Sequence, residues 1–207
     1  FALIVNEIRN ARFRKFTQTV SYMPYFISSV VVAGMVLSFI ANDGIITQLI
    51  NAFGGNARSL NADPEVFPWV YTITGVWKSF GWNSILYLST ITAIDPALYE
   101  SADVDGAGRL KKIWYITLPS MLPLIMIQLI LAVGSLLSSG TDMILLMYNS
   151  AVYSTADVIG TYIYRETLFS GKYSYGTAAG LLMSVLSFIL VFAANLTSRK
   201  LTDFSLW

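Results

Sequence analysis

Carboxylates are concentrated in one polar segment of this chain, residues 95–120, which we call the acidic loop. Glu100 and Asp103 stand three positions apart in a stretch that favours helix, so both side chains project from one side of a short helix. Asp105-Gly106 follows and breaks that helix. Two carboxylates on a short exposed helix can form ion pairs with a basic partner. The pattern therefore favours docking to a partner through ion pairs.

Catalytic chemistry has few candidate residues in the rest of the chain. There is no cysteine, which excludes disulfides, thiolate metal sites and thiol nucleophiles, and there is no histidine, the commonest general base and metal ligand. No glycine-rich phosphate loop of the Walker type is present, so any ATP site must lie on a partner. The basic residues are scattered, which gives no reason to expect nucleic acid. We expect no metal and no cofactor.

The composition is that of an all-α integral membrane protein. Apolar residues make up 55% of the chain, mean hydropathy is +0.61, and charged residues are 12%, against about 25% in soluble domains. Four stretches supply the roughly 20 mostly apolar residues that a crossing helix needs. These predicted spans are residues 22–41, 69–94, 121–139 and 177–197. The loop 42–68 contains a short apolar helix from Ile45 to Phe53. In the loop 140–176, here called the tyrosine-rich segment, the apolar piece Met143 to Met147 is too short to cross.

The basic residues predict an orientation, because Lys and Arg near span ends stay on the cytoplasmic side. Nine basic residues fall on one predicted side: Arg9, Arg12, Arg14, Lys15, Arg109, Lys111, Lys112, Arg199 and Lys200. Three fall on the other: Arg58, Arg165 and Lys172. This split places the N-terminal segment, the acidic loop and the C-terminus in the cytoplasm, and both loops 42–68 and 140–176 outside the cell.

The N-terminal segment leaves two interpretations open. Residues 6–21 carry Ile8, Phe13, Phe16 and Val20 among basic residues, which is typical of an amphipathic helix on the inner leaflet. A plain positively charged connector would also satisfy the orientation rule. The apolar opening Phe1-Ala-Leu-Ile-Val5 resembles the end of an earlier span, so we expect the sequence to be the C-terminal part of a longer protein.

The acidic loop contains signals for two helices. Asp95 supplies a cap acceptor and Pro96 is tolerated in a first turn, so a helix is predicted from Ala97 to Val104. Gly106 allows the backbone to reverse, and a second helix is predicted over residues 109–117. Leu118-Pro119 is then expected to end this second helix before the next span, because the residue before proline avoids the helical region.

The order of residues in this loop resembles the EAA loop of the membrane subunits of binding-protein-dependent ABC importers, most closely the carbohydrate branch. The matching positions are Glu100, Ala102, Asp105-Gly106-Ala107, Ile116, Leu118-Pro119 and Pro123. The resemblance implies a coupling helix that sits in a cleft of a cytoplasmic ATPase, with Glu100 paired to a basic group there. The implied coupling residues are Glu100, Ser101, Ala102, Asp103, Asp105, Gly106, Ala107 and Pro119. Ser101 stands where a second alanine is usual, and Ile113 where phenylalanine is usual.

The resemblance covers essentially the whole chain, from Asn6-Glu7-Ile8-Arg9 to the closing stretch 199–207. It implies the helix bundle of a type I ABC importer permease, here lacking its N-terminal spans, in a bacterial plasma membrane. The implied substrate is an oligosaccharide or polysaccharide fragment. The implied partners are a cytoplasmic ABC ATPase dimer, a second permease of different sequence, an extracellular solute-binding protein and the lipid bilayer.

Four residues are candidates for the translocation path: Lys78, Trp82, Asn83 and Gln128. Lys78 lies about 14 Å into its predicted span at 1.5 Å per residue, where a charge should face protein or water. It either lines a cavity on the substrate route, with Asn83 beside it, or is paired inside the helix bundle, or snorkels along its stem. Trp82 could stack on sugar rings, although Trp is also common in membrane proteins for ordinary packing reasons. For Gln128, hydrogen bonding between helices is the more frequent role.

Other functions make different demands on the sequence. An importer permease for a non-sugar solute would use the same acidic loop. An ion-coupled carrier would be expected to have an acidic residue or a broken helix at mid-membrane, and an intramembrane enzyme without Cys or His would need a Ser-Lys or paired-Asp site. No Asp lies within a predicted span. We therefore expect a transporter subunit that is not an enzyme.

Overall fold

Helices form all the regular structure in the described residues of the computed structural model, which are 1–57, 60–138 and 140–202, with only the backbone given for residues 201 and 202. Arg58, Ser139 and the closing residues 203–207, which entered the sequence predictions, lie outside this part. The helices are α1 Ala2–Asn6, α2 Ala11–Phe26, α3 Ser29–Phe39, α4 Ile45–Ala52, α5 Phe67–Thr92, α6 Pro96–Val104, α7 Arg109–Lys112, α8 Leu118–Ser135, α9 Thr141–Met147, α10 Tyr153–Ala156, α11 Ile159–Leu168 and α12 Tyr173–Thr202, with a 3₁₀ turn at Leu60–Ala62 and a π-helical turn at Ile113–Thr117.

Unit one comprises Phe1–Tyr22, Phe80–Leu136 and Leu186–Trp207, and it contains the acidic loop. Its buried cluster is formed by Ala2, Ile91 and Met121, with Tyr87 and Ile125 among the side chains packed against it. The helices approach closely at glycines: a Cβ at Gly81 would overlap the carbonyl oxygen of Ser21, and one at Gly134 would meet Val191. Small residues at helix contacts are typical of membrane helix bundles.

Unit two comprises Met23–Ser79 and Leu137–Val185, and it contains the tyrosine-rich segment. Its buried cluster consists of Ala33, Phe67, Ile144, Met147, Val152 and Ala156. Helices α3 and α9 make the most extensive contact between elements of this unit. The short apolar helix predicted from Ile45 is present as α4, Ile45–Ala52.

Two described helices are long and apolar enough to cross a membrane, Arg109–Ser135 and Tyr173–Lys200, and the bent pair of α2 and α3 would make a third. They overlap the predicted spans 121–139, 177–197 and 22–41. Helix α5 covers the remaining predicted span and has 26 residues, but it does not meet the same test of composition. Lys78, Asn83 and several hydroxyl residues make α5 more polar than a helix that faces only lipid.

The first predicted span is not one straight helix. Helix α2 ends at Phe26, α3 begins at Ser29, and the two are bent by 97°. Pro24 lacks a backbone donor within the last turn of α2, and the Ser28 hydroxyl accepts a hydrogen bond from the Val31 amide at 3.3 Å, so a new helix starts there. The prediction of one span over residues 22–41 is wrong in this respect, because apolar length alone gives no sign of the break.

Proline does not end the second helix of the acidic loop, contrary to the sequence prediction. Residues from Arg109 to Ser135 form one helix of 27 residues, which we call the long helix, and Pro119 lies in the first turn of its α8 portion. The π-helical turn Ile113–Thr117, here called the π turn, ends two residues before Pro119. Its wider i to i+5 spacing gives the proline ring room that a regular α-helical turn would not.

Candidate functional site

The start of α6 is capped as its sequence predicts. The Asp95 carboxylate accepts a hydrogen bond from the Ala97 amide at 2.9 Å, and Pro96 occupies the first turn, where its missing amide costs nothing. This cap fixes where the chain leaves α5 and begins the acidic loop.

The end of α6 is a Schellman motif built on Gly106. The amide of Ala107 bonds the carbonyl of Ala102 at 2.8 Å, and the amide of Gly106 bonds the carbonyl of Asp103 at 3.1 Å. Gly106 has φ of +71°, a left-handed conformation that residues with a side chain adopt at a cost. The predicted turn residue and the two alanines on either side of the reversal are thus brought together.

The two carboxylates expected on one side of α6 have different surroundings. Asp103 forms an ion pair with Lys112 at the start of the long helix. The Glu100 side chain is exposed, and within the described residues no cationic nitrogen lies within 4.0 Å of its carboxylate. Asp105, the C-cap residue of α6, is also exposed. Glu100 is therefore the carboxylate of this helix that is left open to a partner.

Two other predicted coupling residues have local roles in the structure. The Ser101 hydroxyl donates to the Leu98 carbonyl at 3.0 Å. Serine in place of the usual alanine therefore leaves no unsatisfied hydroxyl at this position. Pro119 is exposed on the long helix. The structure brings residues 100–107 together on α6 and its turn, whereas Pro119 follows the π turn.

Sequence reasoning missed two features of the acidic loop. Three apolar side chains are exposed around the carboxylates: Leu98 at 48%, Val104 at 89% and Leu110 at 73%. The Tyr99 hydroxyl lies 2.9 Å from the Thr117 hydroxyl, across eighteen positions of sequence, and Thr117 is buried. The exposed apolar residues could have been found from their place in a polar loop, but the Tyr99–Thr117 contact has no local signal.

The candidate path residues divide between the units. In unit two, the Lys78 ammonium donates to the Ser29 hydroxyl at 2.7 Å, and Ser29 is the first residue of α3. In unit one, Asn83 lines a cavity of about 340 Å³ with Phe80 and Tyr87, while Trp82 is 38% exposed. Gln128 is half-buried on the long helix. The hydrogen bond of Lys78 agrees with the expectation of pairing inside the protein. Because the Ser29 hydroxyl is neutral, this bond gives the ammonium group no counter-charge.

The strongest electrostatic cluster lies in the tyrosine-rich segment. Arg165 donates to both oxygens of Asp157, at 3.2 and 2.7 Å, and its guanidinium lies 5.2 Å from the ring centre of Tyr153 and 5.7 Å from that of Tyr162. The hydrogen bond from Arg165 lowers the pKa of Asp157, and the same bond raises the pKa of Arg165. This cluster satisfies its own charges, so it stabilises the segment.

A family model described as "Binding-protein-dependent transport system inner membrane component" matches residues 1–203. The chain belongs to this family. The resemblance carried by the acidic loop is thereby confirmed, together with the all-α fold of a type I permease. With its apolar helices, this inner membrane component is a multi-pass membrane protein.

This inner membrane component has a named permease among its relatives. It is 40% identical over 200 residues to the polygalacturonan/rhamnogalacturonan transport system permease protein YteP of Bacillus subtilis (strain 168), covering 96% of this chain and 62% of the relative. It is 39% identical to Protein LplB of the same organism, covering 96% of this chain and 63% of that protein. The chain thus spans less than two thirds of the length of these two relatives.

Solved structures agree with the sequence relatives. A bacterial ABC transporter involved in the import of the acidic polysaccharide alginate has a chain that is 42% identical, with a TM-score of 0.94, covering 97% of this chain and 71% of that one. A bacterial alginate ABC transporter in complex with alginate pentasaccharide-bound periplasmic protein gives 41% identity and a TM-score of 0.96, covering 99% and 72%. These likenesses agree with the expectation of a transporter subunit from the carbohydrate branch.

Proposed function

We propose that this chain acts in the membrane subunit of an ATP-driven importer that carries an acidic saccharide into the cell. The observation that carries the proposal is the likeness, at about two fifths identity over nearly the whole chain, to a polygalacturonan/rhamnogalacturonan permease and to an alginate importer. The uronic acid units of such polymers carry one carboxylate each, so the substrate is a chain of negatively charged sugars.

The proposed importer needs partners that this chain does not supply. ATP would bind a dimer of cytoplasmic ATPase subunits, a second permease would complete the path, and an extracellular solute-binding protein would deliver the saccharide. The alginate importer solved with its periplasmic protein supports the last of these. The nine basic residues near predicted span ends support a cytoplasmic position for the N-terminal segment, the acidic loop and the C-terminus.

In the proposed mechanism, the acidic loop is the contact with the ATPase. The exposed Glu100 carboxylate would pair with a basic group there, while Leu98 and Val104 would bury apolar surface in the same cleft. Closure of the ATPase dimer on ATP would then move α6 and shift the membrane helices between inward-open and outward-open states. Binding energy on another polypeptide thus drives the change.

Reversing the charge of Glu100 tests the proposal. The Glu100→Arg variant is expected to lower ATP-dependent uptake of a labelled galacturonate oligosaccharide or alginate oligosaccharide by roughly 30-fold or more, because a reversed charge in a desolvated contact costs about 2 kcal/mol or more. Membrane insertion should be unchanged. Uptake is measured in proteoliposomes with the assembled complex, and ATPase binding by copurification.

Glu65→Arg is the matched control, since Glu65 is an exposed carboxylate outside the acidic loop. Wild-type uptake by Glu100→Arg with the ATPase still bound would refute the coupling role. Uptake that persists without ATP but is abolished by a protonophore would instead favour an ion-coupled carrier. Uptake of neither oligosaccharide by the wild-type complex would favour a different solute.

Lys78 is the proposed contact for the negative charge of the saccharide. It is the one charged residue in α3, α5, α8 and residues 173–198 together. Within the described residues, no carboxylate oxygen lies within 4.0 Å of its ammonium group. A lysine inside the membrane without a counter-charge is costly, so an anion passing near it would be attracted.

Two substitutions separate this role from a structural one. Lys78→Met is expected to lower uptake of a galacturonate oligosaccharide by about tenfold and to leave uptake of its carboxyl-reduced, neutral form unchanged. Ser29→Ala removes the hydrogen bond at Lys78 but keeps the charge, and should have little effect on either. Equal effects of Lys78→Met on both oligosaccharides, or an equal effect of Ser29→Ala, would assign Lys78 to helix packing.

A further inference from the structure

Four side chains join α6 to the long helix in a closed ring. Tyr99 and Asp103 stand four apart on α6, and they contact Thr117 and Lys112 respectively. The Thr117 hydroxyl closes the ring by donating to the Lys112 carbonyl at 3.4 Å. We call this set the hydrogen-bonded ring. The Thr117 hydroxyl has one proton, which it donates to the Lys112 carbonyl. It therefore accepts from Tyr99, and the Tyr99 hydroxyl is the donor.

The π turn explains how the ring can form. Residues five apart in a regular α-helix point about 140° away from each other around the axis, so Lys112 and Thr117 could not both face α6. The i to i+5 spacing of the π turn brings them to the same side. Tyr99 and Asp103 present a matching pair, since residues four apart share a face of α6. Thr117 is only 4% exposed, which shields its contact with Tyr99 from water.

We infer that the hydrogen-bonded ring passes the movement of α6 into the long helix at the π turn, and that Tyr99 and Thr117 are positioning residues for transport. This inference rests on the proposed function. Tyr99 precedes Glu100 directly, so a force applied at Glu100 acts next to the ring. Single π turns within α-helices are frequent at functional sites, and here the Thr117 hydroxyl donates to the carbonyl of Lys112, the residue that precedes the π turn. Without the ring, α6 can move while the long helix stays behind.

Removing one hydroxyl at a time tests the inference. In proteoliposomes with the complete complex, Tyr99→Phe is expected to lower the amount of galacturonate oligosaccharide imported per ATP hydrolysed by about fivefold, the effect of one lost hydrogen bond. Thr117→Val should lower this ratio at least as much, because it removes the bond to Tyr99 and the bond to the Lys112 carbonyl. Thr117→Ser keeps the hydroxyl and should restore the wild-type ratio. The double variant Tyr99→Phe with Thr117→Val should be no worse than Thr117→Val alone, because Thr117→Val already removes the bond to Tyr99.

The matched control is Tyr115→Phe, which removes a hydroxyl from the same π turn at a side chain that is 80% exposed. It should leave the import-to-hydrolysis ratio unchanged. The thermal denaturation midpoint separates coupling from folding: if Tyr99→Phe lowers uptake and hydrolysis together with the midpoint, the ring is structural and the inference is overturned. An unchanged ratio in Tyr99→Phe also overturns it.

Glu100→Arg, measured in the same assay, separates a failure of the role proposed for the hydrogen-bonded ring from a failure of the proposed function. If Glu100→Arg uncouples hydrolysis from import but Tyr99→Phe does not, the proposed function stands and the role of the ring fails. If neither variant changes the ratio, the acidic loop is not the coupling element, and both proposals fail.

Discussion

The acidic loop and the tyrosine-rich segment use their charges in opposite ways. In the tyrosine-rich segment, Arg165 bonds both oxygens of Asp157, and Lys172 bonds Glu166 at 2.7 Å. In the acidic loop, one ion pair ties Asp103 to Lys112, while the Glu100 carboxylate is exposed beside exposed apolar side chains. The two regions lie in different units, and each unit has its own buried hydrophobic cluster.

Whether the charges of a loop are paired within that loop determines what a partner can gain by binding it. Where opposite charges are paired within one segment, the pairs stabilise that segment and leave little for a partner to gain. Where a carboxylate stays open next to exposed apolar surface, a partner gains both an ion pair and apolar burial. The acidic loop is therefore the better candidate for a protein contact, although both segments are rich in charge.

Both regions contain glycines with positive φ, and Gly140 and Gly106 allow the regions to be compared directly. Gly140 has φ of +81°, and a Cβ there would overlap the hydroxyl of Tyr71. Gly140→Ala is expected to destabilise unit two by about 2–5 kcal/mol, the sum of left-handed strain and overpacking. Thermal denaturation in detergent, followed by circular dichroism, measures this. Adding Tyr71→Phe should recover part of the loss, and no recovery would contradict the clash as its cause.

Gly106 should respond more mildly to the same substitution. Its φ is +71°, but a Cβ there would meet nothing within 4 Å. Gly106→Ala should therefore cost only the strain, about 1–2 kcal/mol, and this loss should appear in the import-to-hydrolysis ratio because the reversal positions α6. Gly106→Asn is the control, since asparagine tolerates the left-handed region. If alanine at 106 proves as damaging to folding as alanine at 140, the acidic loop is more tightly packed than its contacts indicate.

Acid should weaken the tyrosine-rich segment through Asp157. The hydrogen bond from Arg165 holds the pKa of Asp157 below its ordinary 3.8, so the stabilisation is present above that pH and is lost as pH falls through the lower folded value. Asp157→Asn should lower the denaturation midpoint at pH 7 by no more than about 3 °C, and the gap to wild type should close below about pH 4. Asp142→Asn serves as the control. A gap that widens in acid would contradict this sign.

Local signals predicted the parts of the fold that depend on neighbours in sequence. The Asp95 cap, the reversal at Gly106 and the α4 helix each rest on residues within a few positions, and each is present. The π turn was not predicted, because Leu118-Pro119 alone favours a helix end. The contact between Tyr99 and Thr117, the last residue of this turn, is likewise encoded by no local pattern.

The candidate site shows the same limit. Glu100 and Asp103 have the same spacing signal, and the sequence could not tell which one remains open. Lys112 decides the matter, since the reversal at Gly106 returns the chain to Asp103. The bend between α2 and α3 was likewise missed, because apolar length is averaged over a window while a Ser28 cap acts at one position.

Replacing one lysine in each region is expected to have the smallest effects on stability and on import. Lys172 is 60% exposed and Lys112 19%, and each has one carboxylate partner. Lys172→Ala should leave the denaturation midpoint unchanged within error, because water and salt screen so exposed a pair. Lys112→Ala should lower import per ATP by no more than about twofold, since Asp103 is itself 64% exposed and the backbone carbonyl that Thr117 bonds is retained. A larger loss in Lys112→Ala than in Tyr99→Phe would mean that the ion pair, rather than the buried hydroxyl contact, carries most of the link between α6 and the long helix.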